Sequence, residues 1–153
     1  MIYFRDFVPS GVNLPSPDPL QRAQNQLNRG DILFSACRNF QLTLLPGGNL
    51  VLYAIDDTSL PPYQVPEAPA VIPNATYPVV IWESRSDDEG VTRCNMQTDG
   101  NLVLYDDAGV PHWASGTNGH PGTFLRCQCD GNLVLLAPDG SVLKNTNTNA
   151  GKH

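Results

Sequence analysis

The chain has 153 residues, 41% of them hydrophobic, enough for one compact domain with its own core and too few for two of ordinary size. Its 13 Gly and 14 Pro are more than helices of this total length accommodate, so many short strands and turns are expected. Only 9 basic residues, scattered along the chain, stand against 15 acidic ones for a formal charge of -6. Nucleic acid is thereby excluded as a partner, since phosphate backbones are held by clustered Lys and Arg.

The N-terminal stretch from Met1 to Pro9 lacks the uninterrupted apolar run of a signal peptide. A cytoplasmic or unconventionally secreted protein is the expectation, unless a signal was removed beforehand. No later stretch has the apolar length needed to cross a bilayer, so no membrane insertion is expected. The first thirty residues are rich in Pro and Gln, with a weak helical option at 19–27, and Leu20, Leu27 and Leu33 read as plugs for the core.

An internal repeat then organises the chain. The string Gly-Asn-Leu-Val-Leu occurs three times, at Gly48 to Leu52, Gly100 to Leu104 and Gly131 to Leu135. Asn101 and Asn132 are 31 residues apart and Asn49 and Asn101 are 52 apart, but Tyr53 to Trp82 spans 29 residues where Tyr105 to Trp113 spans 8. The first copy therefore carries 21 extra residues, and without them the period is 31 throughout. The excess falls in 54–80, which holds Pro61, Pro62, Pro66, Pro69, Pro73 and Pro78 and reads as an extended surface loop. It includes the sequon Asn74-Ala75-Thr76, an acceptor for glycosylation in a eukaryotic secretory pathway.

Each unit reads as three strands joined by turns. In the second unit these are Val91 to Gln97, Asn101 to Tyr105 and Val110 to Ser115, with turns at Asp99-Gly100 and Asp106 to Gly109. The third has Phe124 to Gln128, Asn132 to Leu136 and Val142 to Asn145, with turns at Asp130-Gly131 and Asp139-Gly140. No unit buries its apolar face alone, so the three share a core. An all-β fold is expected: a prism of three antiparallel, four-stranded sheets with pseudo-three-fold symmetry. It forms one domain over 1–153, with repeats at about 27–90, 91–122 and 123–149.

Alternate residues of a strand share a face, so Asn101, Val103 and Tyr105 point one way and Leu102 and Leu104 the other, into the core. The turn at Asp99-Gly100 brings Gln97 and Asp99 beside that outward row. Two amides, a carboxylate, a small apolar patch and a phenol then lie together. This mixture suits a sugar, which needs donors and acceptors for vicinal hydroxyls and an apolar contact for ring C–H groups. A hairpin turn alone explains Asp99, Gly100 and Asn101, but not Gln97 or Tyr105.

The pattern Gln-x-Asp-x-Asn-x-Val-x-Tyr, complete at Gln97, Asp99, Asn101, Val103 and Tyr105, resembles the signature of the monocot mannose-binding lectins, the snowdrop or bulb type. The likeness covers roughly 20–149 apart from the insertion, and extends to Ile81-Trp82 and His112-Trp113 near the end of each repeat and the Ser/Thr/Asn-rich segments after them. The resemblance implies the β-prism II fold, binding of mannose or mannose-rich glycans without catalysis, and no metal or other cofactor. It assigns the axial 2-hydroxyl to Asp99 and Asn101, the 3-hydroxyl to Gln97, the 4-hydroxyl to Tyr105 and the ring contact to Val103. The third repeat keeps Gln128, Asp130, Asn132 and Val134 but has Leu136 in place of Tyr, which implies a weaker site. The first keeps Asn49, Val51 and Tyr53 but has Leu45 and Gly47 in place of Gln and Asp, which implies none.

Trp82 and Trp113 recur at one place in the repeat and are expected to pack in the core near the three-fold axis, with Leu143 replacing them in the third repeat. Met96 and Cys127 immediately precede motif glutamines and face inward. Any disulfide would use Cys94 or Cys37, because Cys127 and Cys129 flank one residue of a strand. His112, His120 and His153 read as exposed loop histidines without metal-ligand spacing, and the acidic runs Asp87 to Glu89 and Asp106-Asp107 read as turns. A glycosidase would need two opposed carboxylates, whereas Asp99 and Asp130 belong to different repeats. The alternative function is a lectin-like bacteriocin or interaction module of the same fold, acting on another surface target. A homo-oligomer built by exchange of C-terminal strands from Asn145 to Asn149 is a further expectation from the resemblance.

Overall fold

The computed structural model describes residues 3–4, 7–8, 26–35, 39–55 and 78–148. Among these the strands are β1 (Tyr3–Phe4), β2 (Phe7–Val8), β3 (Gln26–Asn28), β4 (Ile32–Phe34), β5 (Phe40–Leu44), β6 (Leu50–Ala54) and β7 (Val79–Glu83), then β8 (Val91–Met96), β9 (Leu102–Asp106), β10 (Pro111–Ala114), β11 (Phe124–Cys127), β12 (Leu133–Leu136) and β13 (Val142–Asn145). The fold is all-β, without a helix among the described residues. Three sheets run in the orders β1-β4-β5-β6-β7, β10-β9-β8-β3 and β13-β12-β11-β2.

Every repeat supplies three consecutive antiparallel strands: β5 to β7, β8 to β10 and β11 to β13. The remaining strands come from the N-terminal third, which places β4 in the first sheet, β3 in the second and β2 in the third. The first sheet has five strands rather than the expected four, because β1 adds to β4 in parallel. Gln26 and Leu27, at the end of the weak helical option, are in strand β3 instead; the rest of that option, Leu20, and most of the Pro-rich insertion with its sequon lie outside the described residues. β13 lies beside β12 of its own chain.

The alternation in each hairpin decides what is buried. Leu42 and Leu44 on β5 with Leu50 and Leu52 on β6, Cys94 and Met96 with Leu102 and Leu104, and Leu125 and Cys127 with Leu133 and Leu135 form one shared core, joined by Leu27 and Leu33. Each large aliphatic side chain removed from water here contributes roughly 1.5–3 kcal/mol.

The third strand of each repeat carries a one-residue bulge. Leu52 pairs with Trp82 but Tyr53 with Val80, Leu104 with Trp113 but Tyr105 with Pro111, and Leu135 with Lys144 but Leu136 with Val142. The extra residues are Ile81, His112 and Leu143. The residue in the tryptophan position of the third repeat is therefore Lys144, not Leu143 as the sequence suggested; the bulge moves the register by one. Trp82 and Trp113 meet edge to face with centroids 5.8 Å apart. The Lys144 ammonium lies 5.9 Å from the Trp113 ring centroid and donates to the Ser115 carbonyl at 2.9 Å. These three side chains border an open-ended cavity of about 250 Å³, whose walls also include Leu102, Leu125, Leu133 and Leu135.

A lysine stem fills less of that space than an indole. Lys144→Trp is expected to raise the unfolding free energy by about 1 kcal/mol through cavity filling, measured by thermal denaturation. A lowered Tm would show that the ammonium's contacts with Trp113 and Ser115 outweigh the lost volume.

Candidate functional site

One hydrogen-bonded unit recurs in all three repeats. The Asn101 side-chain Oδ1 accepts from Ser115 Oγ at 3.0 Å, Gly116 N at 2.9 Å and Thr117 N at 3.3 Å. The Ser115 hydroxyl also accepts from Leu102 N at 2.9 Å, and the Thr117 hydroxyl donates to the Gly100 carbonyl at 2.6 Å. In the third repeat Asn132 Oδ1 takes Thr146 Oγ1 and Thr148 N, and Thr148 Oγ1 donates to the Gly131 carbonyl. In the first, Asn49 Oδ1 takes Ser84 Oγ and Ser86 N, and Ser86 Oγ donates to the Gly48 carbonyl. The asparagine of the motif thus latches its turn to the segment leaving the third strand.

Sequence reasoning did not assign this latch. Its signal was nonetheless present: a hydroxyl follows the asparagine by 14 and 16 residues in the second and third repeats, and by 35 and 37 in the first. The offsets in the first repeat are longer by the 21 residues of the insertion.

The turn beside the latch is equally constrained. Asp99 Oδ1 accepts the Asn101 amide at 2.9 Å, and the Gly100 amide closes onto the Gln97 carbonyl at 3.1 Å. Gly100 has φ +92°, and a Cβ there would stand 2.2 Å from the His120 carbonyl oxygen, so only glycine fits. With Asn101 Oδ1 and Asp99 Oδ1 engaged in the fold, the Asn101 Nδ2 amide is left as a donor and the second Asp99 oxygen as an acceptor.

Across β8 and β9 the outward residues form three opposed pairs. Gln97 meets Asn101 through the backbone bond from its amide to the Asn101 carbonyl, Asn95 faces Val103, and Arg93 faces Tyr105. Gln97 Nε2 donates to the Tyr105 hydroxyl. The Arg93 guanidinium lies 5.2 Å from the Tyr105 ring centroid and donates to the Asp106 carbonyl at 3.0 Å. The structure thus brings Gln97, Asp99, Asn101, Val103 and Tyr105 onto one face, as the alternation required. Two of them are less open than an outward direction suggests: Gln97 is 5% and Val103 3% exposed.

The other repeats keep the backbone and change the side chains. In the third, Asp130 Oδ1 accepts the Asn132 amide at 2.9 Å, and Gln128, Asp130, Asn132 and Val134 occupy the places of their counterparts. Leu136, buried and opposite Phe124, offers no hydroxyl. In the first, the turn closes from Leu45 N to Asn49 O at 2.8 Å and from Gly48 N to Leu45 O at 2.9 Å, yet Leu45 and Gly47 bring no polar group.

Two other sequence readings change or sharpen. His112 is not in a loop: it is the bulged residue of β10, with Nε2 2.9 Å from Asp106 Oδ2 and Nδ1 3.7 Å from Glu89. The bond from His112, followed by the Val110 amide, holds the Asp106 carboxyl below its ordinary range. Cys94 is a free thiol in the core, pushed up to about 12 by burial. It stays protonated and packs as a small hydrophobe. Cys37 lies outside the described residues.

No protein-family model matches the chain. A mannose-specific lectin of Aloe arborescens is 38% identical over 76 residues, which are 47% of this chain and 66% of the relative's own length. The solved Japanese Marasmius oreades lectin superposes with a TM-score of 0.67 at 26% identity, over 99% of this chain and 98% of that one. The mannose-specific agglutinin of snowdrop (Galanthus nivalis), complexed with methyl-α-D-mannoside, gives a TM-score of 0.58 at 26% identity, over 95% and 99% of the two chains. Three sheets sharing one core with a polar pocket on the sheet face make this a β-prism II protein. The chain resembles the monocot mannose-binding lectins of the snowdrop type in both motif and architecture.

The latch gives Asn49 a structural role even though its pocket is incomplete. Asn49→Ala strips the acceptor from Ser84 Oγ and Ser86 N and is expected to destabilise the protein by about 1–3 kcal/mol, read from denaturant unfolding. An unfolding midpoint equal to that of the unaltered protein would refute the role.

Proposed function

We propose that the chain is a non-catalytic lectin for mannose or mannose-containing glycans, its repeats acting as one domain and the pocket of the second repeat being its principal site. The observation that carries this reading is the convergence on one sheet face of a carboxylate oxygen at Asp99, an amide donor at Asn101, the hydrogen-bonded pair Gln97 and Tyr105, and the apolar Val103. Vicinal hydroxyls pair with the polar groups while the ring C–H face rests on Val103. The axial 2-hydroxyl of mannose meets Asp99 and Asn101, the 3-hydroxyl Gln97 and the 4-hydroxyl Tyr105. Support comes from the names of the relatives: the Aloe protein is mannose-specific, and the snowdrop agglutinin was solved with a mannoside.

The pocket of Gln128, Asp130, Asn132 and Val134 is the secondary site, weakened by Leu136. A single shallow pocket binds a monosaccharide weakly, so strong attachment to a branched glycan comes from two pockets, or from two copies of the chain, acting together.

Immobilised mannose is expected to retain the protein and immobilised galactose to release it; equal retention by both would overturn the reading. In calorimetric titrations Asp99→Ala removes a charged acceptor for a sugar hydroxyl, a loss of about 1.5–3 kcal/mol at that site. Asp130→Ala lowers total binding less. A larger loss from Asp130→Ala than from Asp99→Ala would reverse the ranking of the pockets.

A further inference from the structure

Asn95 stands in the middle of the outward face of β8, two residues before Gln97 and directly opposite Val103. It is 4% exposed, and its Oδ1 is fully buried without a hydrogen-bond partner. The next outward residue on the same strand, Arg93, has a buried Nε that likewise lacks one. A buried amide oxygen left unpaired is costly, so a ligand that supplies the missing donor recovers that cost.

The other repeats show what usually happens at this position. Thr43 faces Val51 and Arg126 faces Val134 just as Asn95 faces Val103. The Thr43 hydroxyl is satisfied within the fold, donating to the Asp31 carbonyl at 2.9 Å. Around Asn95 the facing amide is engaged elsewhere: Gln26 of β3, paired with Asn95, donates its Nε2 to Asn28 Oδ1 at 2.6 Å.

The residues on either side of Asn95 belong to the pocket. The Asn95 and Val103 pair lies between the Gln97 and Asn101 pair and the Arg93 and Tyr105 pair. The hydrogen bond from Gln97 to Tyr105 therefore spans it. A ligand whose hydroxyls engage Gln97 and Tyr105 takes over that bond and opens the floor beneath, made of Val103 and Asn95.

Resting on the mannose reading above, we propose that Asn95 is a sixth sugar-contacting residue of the second-repeat pocket, uncovered when a pyranose parts Gln97 from Tyr105, its Oδ1 accepting a hydrogen bond from a sugar hydroxyl. It distinguishes this pocket from that of the third repeat, which has the cationic Arg126 there.

Asn95→Leu keeps the volume and removes the unpaired oxygen, so its Tm is expected to equal or exceed that of the unaltered protein. Its affinity for methyl α-mannoside, followed by NMR titration at the second-repeat pocket, is expected to fall about 10-fold. Asn95→Val, matching the shape of Thr43, supplies a second fold-tolerant variant with the same expected loss. Unchanged affinity in whichever variant remains folded overturns the proposal. If Asp99→Ala abolishes mannoside binding while the Asn95 variants bind normally, this inference alone fails. If the unaltered protein shows no mannoside-dependent shifts, the functional reading fails with it.

Discussion

The carboxamide of one asparagine per repeat ties the hairpin turn to the segment that leaves the third strand, and the rest of the prism depends on that tie. Its oxygen gathers a hydroxyl and one or two backbone amides at distances of 2.9 to 3.4 Å. These donors lie where the chain changes direction, so no sheet ladder serves them, and donors left unpaired there are costly. The same bonds fix the asparagine's rotation. With the oxygen held inward, the amide nitrogen is turned outward, so that on the proposed mannose reading the donor at Asn101 is set before any sugar arrives. On that reading, stability and recognition use opposite ends of one side chain.

This division explains how the repeats diverge. Asn49, Asn101 and Asn132 all remain, with their hydroxyl partners, because losing any would open a turn. The positions matching Gln97, Asp99 and Tyr105 take no part in that latch, and there the chain shows Leu45 and Gly47 in one repeat and Leu136 in another. The axial ring diverges too, with Lys144 beside Trp82 and Trp113. Its ammonium reaches the Ser115 carbonyl and the Trp113 face, so a charged residue is accommodated at the rim of an apolar cavity through its stem.

Much of this was legible in the sequence because it is written locally. The period, the strands of the second and third repeats, the inward leucines and the convergence of the five motif residues of the second pocket all follow from alternation and turn chemistry within about ten residues. What escaped reading depends on distant partners or on a single inserted residue. β3 pairs with β8 and β2 with β11, pairings that strands of two or three residues cannot announce. Lys144 takes the tryptophan position, and His112 a strand position against Asp106, because a bulge moves the register by one. Val103 is buried although strand alternation turns it outward, a burial that the alternation alone does not announce. The latch was recoverable, since its offset is constant once the insertion is removed, but it requires comparing hydroxyls fourteen residues downstream of the motif.

The dispersal of the N-terminal third among the three sheets bears on how the molecule is made. β2 pairs with β11 through Phe7 with Arg126 and Val8 with Leu125, partners about 120 residues apart. At ordinary translation speeds roughly 6–24 s separate the synthesis of those two segments. During that interval β2 has no edge to join, although β1 already has β4, and the first two repeats share a core with one wall missing. Closure is a long-range event that follows the last repeat, and contacts of this separation slow folding. The third sheet is therefore completed only once the third repeat has been made, with β2, near the start of the chain, placed after β11.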